Sequence, residues 1–318
     1  MRYLTEDQVA ALLPVDDAIV ALEEAFRALG GGSAQVRPRQ RVHLPGSVLQ
    51  VMPAGLTTPS ATGMGLKAYV SGRGGIHFVF LLFDPDDGRL LALMEANRLG
   101  QIRTGAASGL ATKYLARDDA QTVGIFGAGW QARSQLAAVC AVRPIRQARC
   151  YSRDAGRREQ FAREMAKLLG LTVTPAAEPA AVLDGADIIV TVTSAGEPVF
   201  DGAWLAPGTH INAAGINQAA KREIDSATVE RAGIVVVDLL EQARTECGDL
   251  LAAERSGVFR WERAVELAAV VAGTLPGRSS GDEITLFESQ GIALEDVAAG
   301  MLVYRRAVEQ GVGVELPV

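Results

Sequence analysis

Three cysteines and three histidines are all that this chain of 318 residues carries. Cys140, Cys150 and Cys247 are odd in number and widely scattered, so neither a disulfide framework nor a metal-ligand spacing can be read from them. Free thiols among apolar neighbours, in a reducing cytoplasm, are the expectation, with no metal site. His43, His77 and His210 stand apart from one another, which leaves little for a histidine-based hydrolase or a zinc centre. Excess positive charge is missing too. The formal net charge is −6, which argues against general nucleic-acid binding. No apolar run approaches the roughly 18–20 residues of a membrane-spanning helix; Glu266 cuts off even the apolar run Leu267–Val271 from the residues before it. The opening MRYLTEDQVAALL has acids at Glu6 and Asp7 and reads as a helix capped by Thr5 and Gln8, not as a signal peptide.

What is present is an α/β composition, 48% hydrophobic with 34 glycines, enough for one large or two modest domains. Two helices are expected before Gly30, followed by a β-rich region of strands at Gln40–Leu44, Val48–Met52, Gly65–Val70, His77–Phe83 and Leu90–Met94. Asp84-Pro-Asp-Asp-Gly88 joins the last two strands as a hairpin. A helix rich in Ala and Gly runs from Asn97 to Tyr114, and Arg117-Asp-Asp119 is a polar join to the next region. Beyond it, strands and helices alternate, with strands ending near Thr174, Ser194, Ala213 and Asp238 and a last helix at Ala293–Glu309.

The densest signal is QTVGIFGAGWQARSQLAAVCAVRPIRQARCYSRD, Gln121 to Asp154. An apolar strand runs into Gly127-Ala128-Gly129-Trp130-Gln131-Ala132, an amphipathic helix follows, and a second strand ends at Tyr151-Ser152-Arg153. This order predicts a dinucleotide-binding unit. Gly127 permits a sharp turn, Gly129 lets the backbone approach a pyrophosphate, and the helix N-terminus offers unpaired N–H groups to the anion. NAD-selective units carry an acid about 20 residues past the glycines, for the ribose 2′-OH. Ser152-Arg153 instead suits a 2′-phosphate, so NADP(H) is expected ahead of NAD(H), with Asp154 next door keeping the alternative open.

Arg41, Lys67 and Arg103 lie in or beside apolar segments, where an unpaired charge is costly. Converging on one pocket, they would grip the carboxylate of a small amino or imino acid; the alternative is separate structural salt bridges. Thr193-Ser194, Gly215 with Asn217, and Asp238 fall at carboxyl ends of strands, where open α/β sheets bind ligands, or simply in tight loops. Glu246-Cys247-Gly248-Asp249 is either a site or a helix cap, and Asp282–Gly291 either closes a pocket or forms a last strand.

GIFGAGWQA, MEANRLGQIRTGAASGLATKYL, HINAAGIN and GDEITLFESQGIALEDVA occur in this order and together resemble the ornithine cyclodeaminase/mu-crystallin family, over the chain from Thr5 to the last helix. The resemblance implies an N-terminal α/β domain that holds substrate and forms a homodimer, completed by the C-terminal helix (residues 1–117 and 292–318), beside a Rossmann domain (118–291). It implies a small amino or imino acid partner and hydride exchange with NADP(H) or NAD(H). Carried over by position, Arg41, Lys67 and Arg103 are substrate-binding, with Glu246 at a pocket position of some members. Arg103, Thr104, the turn Gly127–Gln131, Ser152, Arg153, Thr193, Ser194 and Gly215 are cofactor contacts, and Lys67, Arg103 and Asn217 are the catalytic set. Cyclodeaminases of the family carry an Asp two residues beyond the glycine of the NAxG turn. Here Asn217 stands there, and an amide cannot serve as a general base near neutral pH. Reduction of an imine, or reversible amino-acid oxidation, is therefore expected ahead of ornithine cyclodeamination, with a non-catalytic ligand-binding protein as a third reading.

Overall fold

The computed structural model describes residues 1–317; Val318, the last residue of the expected first domain, lies outside them. The chain divides into two compact units, Met1–Ala106 with the segment from Ile292 onward, and Ala107–Gly291. The helix Asn97–Leu115 is continuous through the division.

In the first unit, burial alternates along the strands. On Thr62–Gly72, Gly65, Lys67 and Tyr69 are buried while Met64 and Val70 are exposed. This period of two is what a sheet covered on one face produces. The spatial order of strands is Val314–Glu315, Arg2–Leu4, Leu90–Glu95, Gly75–Phe83, Thr62–Gly72, Ser47–Thr57 and Ala34–Val36, with Gln40–Leu44 also paired to Ser47–Thr57. Arg2–Leu4 joins Leu90–Glu95 in parallel; the other pairs are antiparallel. The helices Val15–Gly30 and Ala293–Glu309 pack together against the strand Ser47–Thr57. A Cβ added to Gly300 would run into the Phe80 ring, so glycine lets this helix approach the sheet closely. The opposite face bears the exposed apolar side chains Val42, Leu49, Met64, Val70 and Val79.

The second unit is a parallel sheet in the order Thr172–Pro175, Gln147–Tyr151, Thr122–Phe126, Ile188–Thr191, His210–Ala213, Thr285–Glu288, Ile234–Val237 and Ala264–Glu266. Every pair in it is parallel. Alternate residues of the inner strands serve different cores. Val123, Ile125 and Val190 join Leu136 and Phe161 in one; Phe126, Ile189 and Ile211 join Trp261 and Leu286 in the other. Successive strands run outward from Thr122–Phe126 in one direction and then, from Ile188, in the other, the doubly wound Rossmann arrangement. Residues 282–291 supply the last strand of this sheet in chain order, Thr285–Glu288, which is wholly buried and inserts between His210–Ala213 and Ile234–Val237 rather than at an edge.

Candidate functional site

At the switch point of the parallel sheet lies a cleft of about 870 Å³. Gly127, Ala128, Gly129, Trp130, Gln131, Ser152, Arg153, Thr193, Ser194 and Gly215 all line it; Arg103 and Thr104, expected as cofactor contacts too, are not among its lining residues. The two glycines differ in what they do. Gly127 has φ of 120°, and a Cβ there would come within 2.5 Å of the Val192 carbonyl oxygen, so the turn itself demands glycine. Gly129 caps the helix Trp130–Val142, and a Cβ on it meets no atom within 4 Å. A side chain at Gly129 would extend only into the cleft. The site therefore fits a pyrophosphate over a helix N-terminus.

At the other end of the cleft Arg153 is exposed and has no ion-pair partner among the described residues. Asp154 is committed elsewhere: its Oδ1 accepts the Arg157 amide at 3.0 Å as helix cap, and its Oδ2 lies 3.7 Å from Arg157 Nε. Arg157 also lines the cleft.

In the first unit, strand register gathers a second set of polar residues. Lys67 faces Met52 and Phe80 across the ladders, and Gln50 stands between Arg41 and Tyr69. Lys67 is 2% exposed, and its Nζ lies 2.9 Å from Asp296 Oδ1 and 2.7 Å from Oδ2. Arg103 Nε is 2.9 Å from the same Oδ1, and its Nη1 is 2.5 Å from Glu295 Oε2. Both acids are fully buried on the final helix. Burial, then the charge of Arg103, bring the Lys67 ammonium down to about 7 against the upward pull of Asp296. Burial also raises Glu295, with Arg103 opposing it. Arg39 contributes to the lowering at Lys67; it is buried, with Nε 3.4 Å from Met52 Sδ. Arg41, two residues on, is half-buried. Lys67 and Arg103 thus meet on Asp296, with Arg39 near Lys67 and Glu295 on Arg103; the two acids are partners that the sequence reading did not name. Thr104 follows on the same helix, its hydroxyl donating to the Gly100 carbonyl at 2.7 Å.

The remaining strand-end residues have varied surroundings. Asn217 is half-buried in the loop past Gly215, and Glu246 is buried at the end of a helix. Asp238 holds the turn after the inserted strand, with Oδ2 accepting the amides of Gln290 at 2.8 Å and Gly291 at 2.6 Å. Cys247, Asp249 and Glu288 bring one donor atom each within 4.8 Å of one another. Burial keeps the Cys247 thiol and the Glu288 carboxyl well above their ordinary values, while Asp249 accepts the amides of Glu223 and Ile224, so this set reads as a buried hydrogen-bonding core. His210 is also buried, pushed down to about 3 and therefore neutral, with Nδ1 2.9 Å from Thr285 Oγ1. Among the described residues no helix is long and apolar enough to cross a membrane.

Known proteins fall in line with this geometry. Residues 2–311 match the model of the ornithine cyclodeaminase/mu-crystallin family. A structure of the Thermococcus litoralis Δ1-pyrroline-2-carboxylate reductase, in complex with NADH and L-proline, superposes with a TM-score of 0.94. It is 37% identical, and the match covers 99% of this chain and 100% of that one. An archaeal alanine dehydrogenase dimer with bound NAD gives a TM-score of 0.93 at 33% identity, over 100% of this chain and 99% of that one. The Δ1-pyrroline-2-carboxylate reductase of Bacillus cereus is 39% identical over 243 residues, 76% of this chain and 74% of the relative.

Proposed function

The chain belongs to the ornithine cyclodeaminase/mu-crystallin family, and from that membership we propose that it is an NAD(P)H-dependent oxidoreductase of small imino acids. It reduces a cyclic or open-chain imine bearing a carboxylate to the amino acid, or runs the reverse oxidation. The observation that carries this reading is Lys67: a buried ammonium lowered to about 7 and held by Asp296, with Arg103 and Arg39 beside it. Bound nicotinamide supplies the hydride that adds to the imine carbon. Lys67 gives the proton that the nitrogen then needs, and the arginines bind the carboxylate. Arg103 is bonded to Glu295 and Asp296, and Arg41, by family position, with Arg39 near Lys67, adds positive charge for the substrate carboxylate. Thr193, Ser194 and Gly215 leave a small-walled space for the nicotinamide ring, and Arg103 and Thr104 are carried as cofactor contacts by family position. Asn217 disfavours cyclodeamination for want of a base.

The test is a panel of pyrroline-2-carboxylate, piperideine-2-carboxylate, pyruvate with ammonia, and an opine precursor, each with NADPH and NADH. Loss of nicotinamide absorbance is expected with at least one. Proline and ammonia formed from L-ornithine and NAD⁺ would establish the lyase instead. Nucleotide binding without turnover of any imino acid would point to a ligand-binding protein.

Cofactor preference belongs to the same proposal. Arg153 lines the cleft with no ion-pair partner among the described residues, and Asp154 is occupied as a helix cap, which together support a contact between Arg153 and a 2′-phosphate. Arg153→Ala is expected to weaken NADPH binding about tenfold, the worth of one charge-assisted contact, and to leave NADH nearly untouched. Equal losses for both dinucleotides would remove Arg153 as a selectivity residue.

The uncovered sheet face of the first unit supports a homodimer. Val42 is 60% exposed, Met64 53% and Val70 48%, a contiguous apolar surface of the kind that marks an association site. Sedimentation at micromolar concentration is expected to give the mass of two chains. A monomer there would count against this face as the interface.

A further inference from the structure

Glu223 has no part in the chemistry above, yet it is 1% exposed and bonds two residues that line the cleft. Its Oε1 accepts the Thr193 amide at 2.5 Å and its Oε2 accepts the Gly215 amide at 2.8 Å. Those amides belong to the loops leaving two adjacent strands, Ile188–Thr191 and His210–Ala213, and both residues line the cleft. One carboxylate therefore ties together two walls of the cavity. Gly215 is cut to fit, since a Cβ there would overlap Glu223 Oε2 and lie 2.6 Å from the Thr193 nitrogen. Glu223 is itself fixed from behind. Asp249 Oδ1 accepts the amides of Glu223 and Ile224, both at 2.8 Å, and the Glu223 carbonyl accepts the Val199 amide at 2.8 Å.

We infer that Glu223 is a positioning residue for the dinucleotide, its ionised carboxylate holding the Thr193 and Gly215 loops in the geometry that receives the nicotinamide end. The inference rests on the reading of this cleft as a nucleotide site. The ionised form accepts fully on both oxygens; protonation puts a hydrogen on one of them and weakens its acceptance from the facing N–H. Burial brings this carboxyl up to about 7, so the change falls near neutrality. The groups facing it are few. Asp249, itself raised to about 6 by burial, disfavours its ionisation, and Glu288 and Cys247 close to Asp249 are held well above their ordinary values by burial. Arg222, next in sequence, is 3.3 Å from Glu197 on the loop after Thr193.

The experiment measures NADH affinity by fluorescence on the full chain between pH 6 and 8.5. NADH carries no 2′-phosphate to titrate in this range. For the unaltered protein the dissociation constant is expected to rise about tenfold as pH falls below about 7. Glu223→Gln, which presents one acceptor and one NH₂ to two N–H donors, is expected to bind about tenfold more weakly at pH 8 and with a flat profile. Loss of a merely structural group would lower thermal stability without flattening the profile. If Glu223→Gln does not fold, Gly215→Ala approaches the same oxygen from the other side and is expected to lose both affinity and the acidic limb. A variant that retains the original affinity and pH profile would overturn the inference. Absence of NADH binding by the unaltered protein would instead remove the nucleotide reading of the cleft, and this inference with it.

Discussion

Lys67→Met is expected to lower kcat by roughly 10²–10⁴, the usual worth of a lost general acid, while changing KM far less. Hydride addition leaves the imine nitrogen one proton short if the imine enters neutral. Among the described residues Lys67 is the only buried lysine. Its environment suits the task, because desolvation and Arg103 bring it to about 7, where donor and conjugate base are both populated. The sign of the pH dependence follows. Reduction needs the protonated form, so kcat for reduction should fall as pH rises through about 7, and amino-acid oxidation should gain over the same interval. Lys67→Met should erase that limb. Methionine is of similar length, so the cavity stays filled, and Asp296 keeps its contact with Arg103. A variant with undiminished kcat at saturating substrate and a raised KM would make Lys67 a carboxylate clamp and nothing more. Arg103→Lys should weaken the site in either case, because a point charge cannot span Glu295 and Asp296 as the guanidinium does.

Much of this arrangement is legible in the sequence, for local reasons. The strand from Thr122, its two glycines and the following helix are contiguous, and each glycine has its own signature. Lys67 and Arg103 are conspicuous because charges in apolar segments must be paired. Their partners are not legible. Asp296 lies 229 positions from Lys67, and acids in the first turn of a helix are what the helix dipole favours anyway. Only their position inside the apolar run of the final helix hints that they are buried. Arg39 precedes the strand Gln40–Leu44 and Arg41 lies in it, and nothing in the sequence shows that Arg39 is the more buried of the two. Glu223 follows Lys221 and Arg222 and reads as a solvated loop. Its role depends on Gly215 and Thr193, which the fold alone brings to it. The Arg2–Leu4 and Ala264–Glu266 strands are too short to show a period, and Thr285–Glu288 enters the sheet out of sequence order.

Gly129→Val is expected to abolish most dinucleotide affinity, by about a hundredfold or more, in a protein that still folds. Gly127 would be the wrong residue for this test. Its φ of 120° and the approach of Val192 make any substitution there a defect of the turn, so a loss of binding could be laid to misfolding. Gly129 is different, because a Cβ on it has no protein atom within 4 Å and its backbone, φ −91°, is open to any residue. Valine therefore costs the fold little at that point. Its two methyl groups extend into the space in front of the Trp130–Val142 N-terminus, where phosphate oxygens would take up the unpaired N–H groups. Loss of two such charge-assisted hydrogen bonds, at about 1.5 kcal/mol each or more, corresponds to roughly a hundredfold in the dissociation constant. NADPH and NADH should suffer alike, since the pyrophosphate is common to both, in contrast to the selective loss expected at Arg153. A thermal melt within a few degrees of the unaltered protein, together with isothermal titration, separates the two causes. A folded Gly129→Val chain with unchanged affinity for both dinucleotides would show that the pyrophosphate does not lie over this helix.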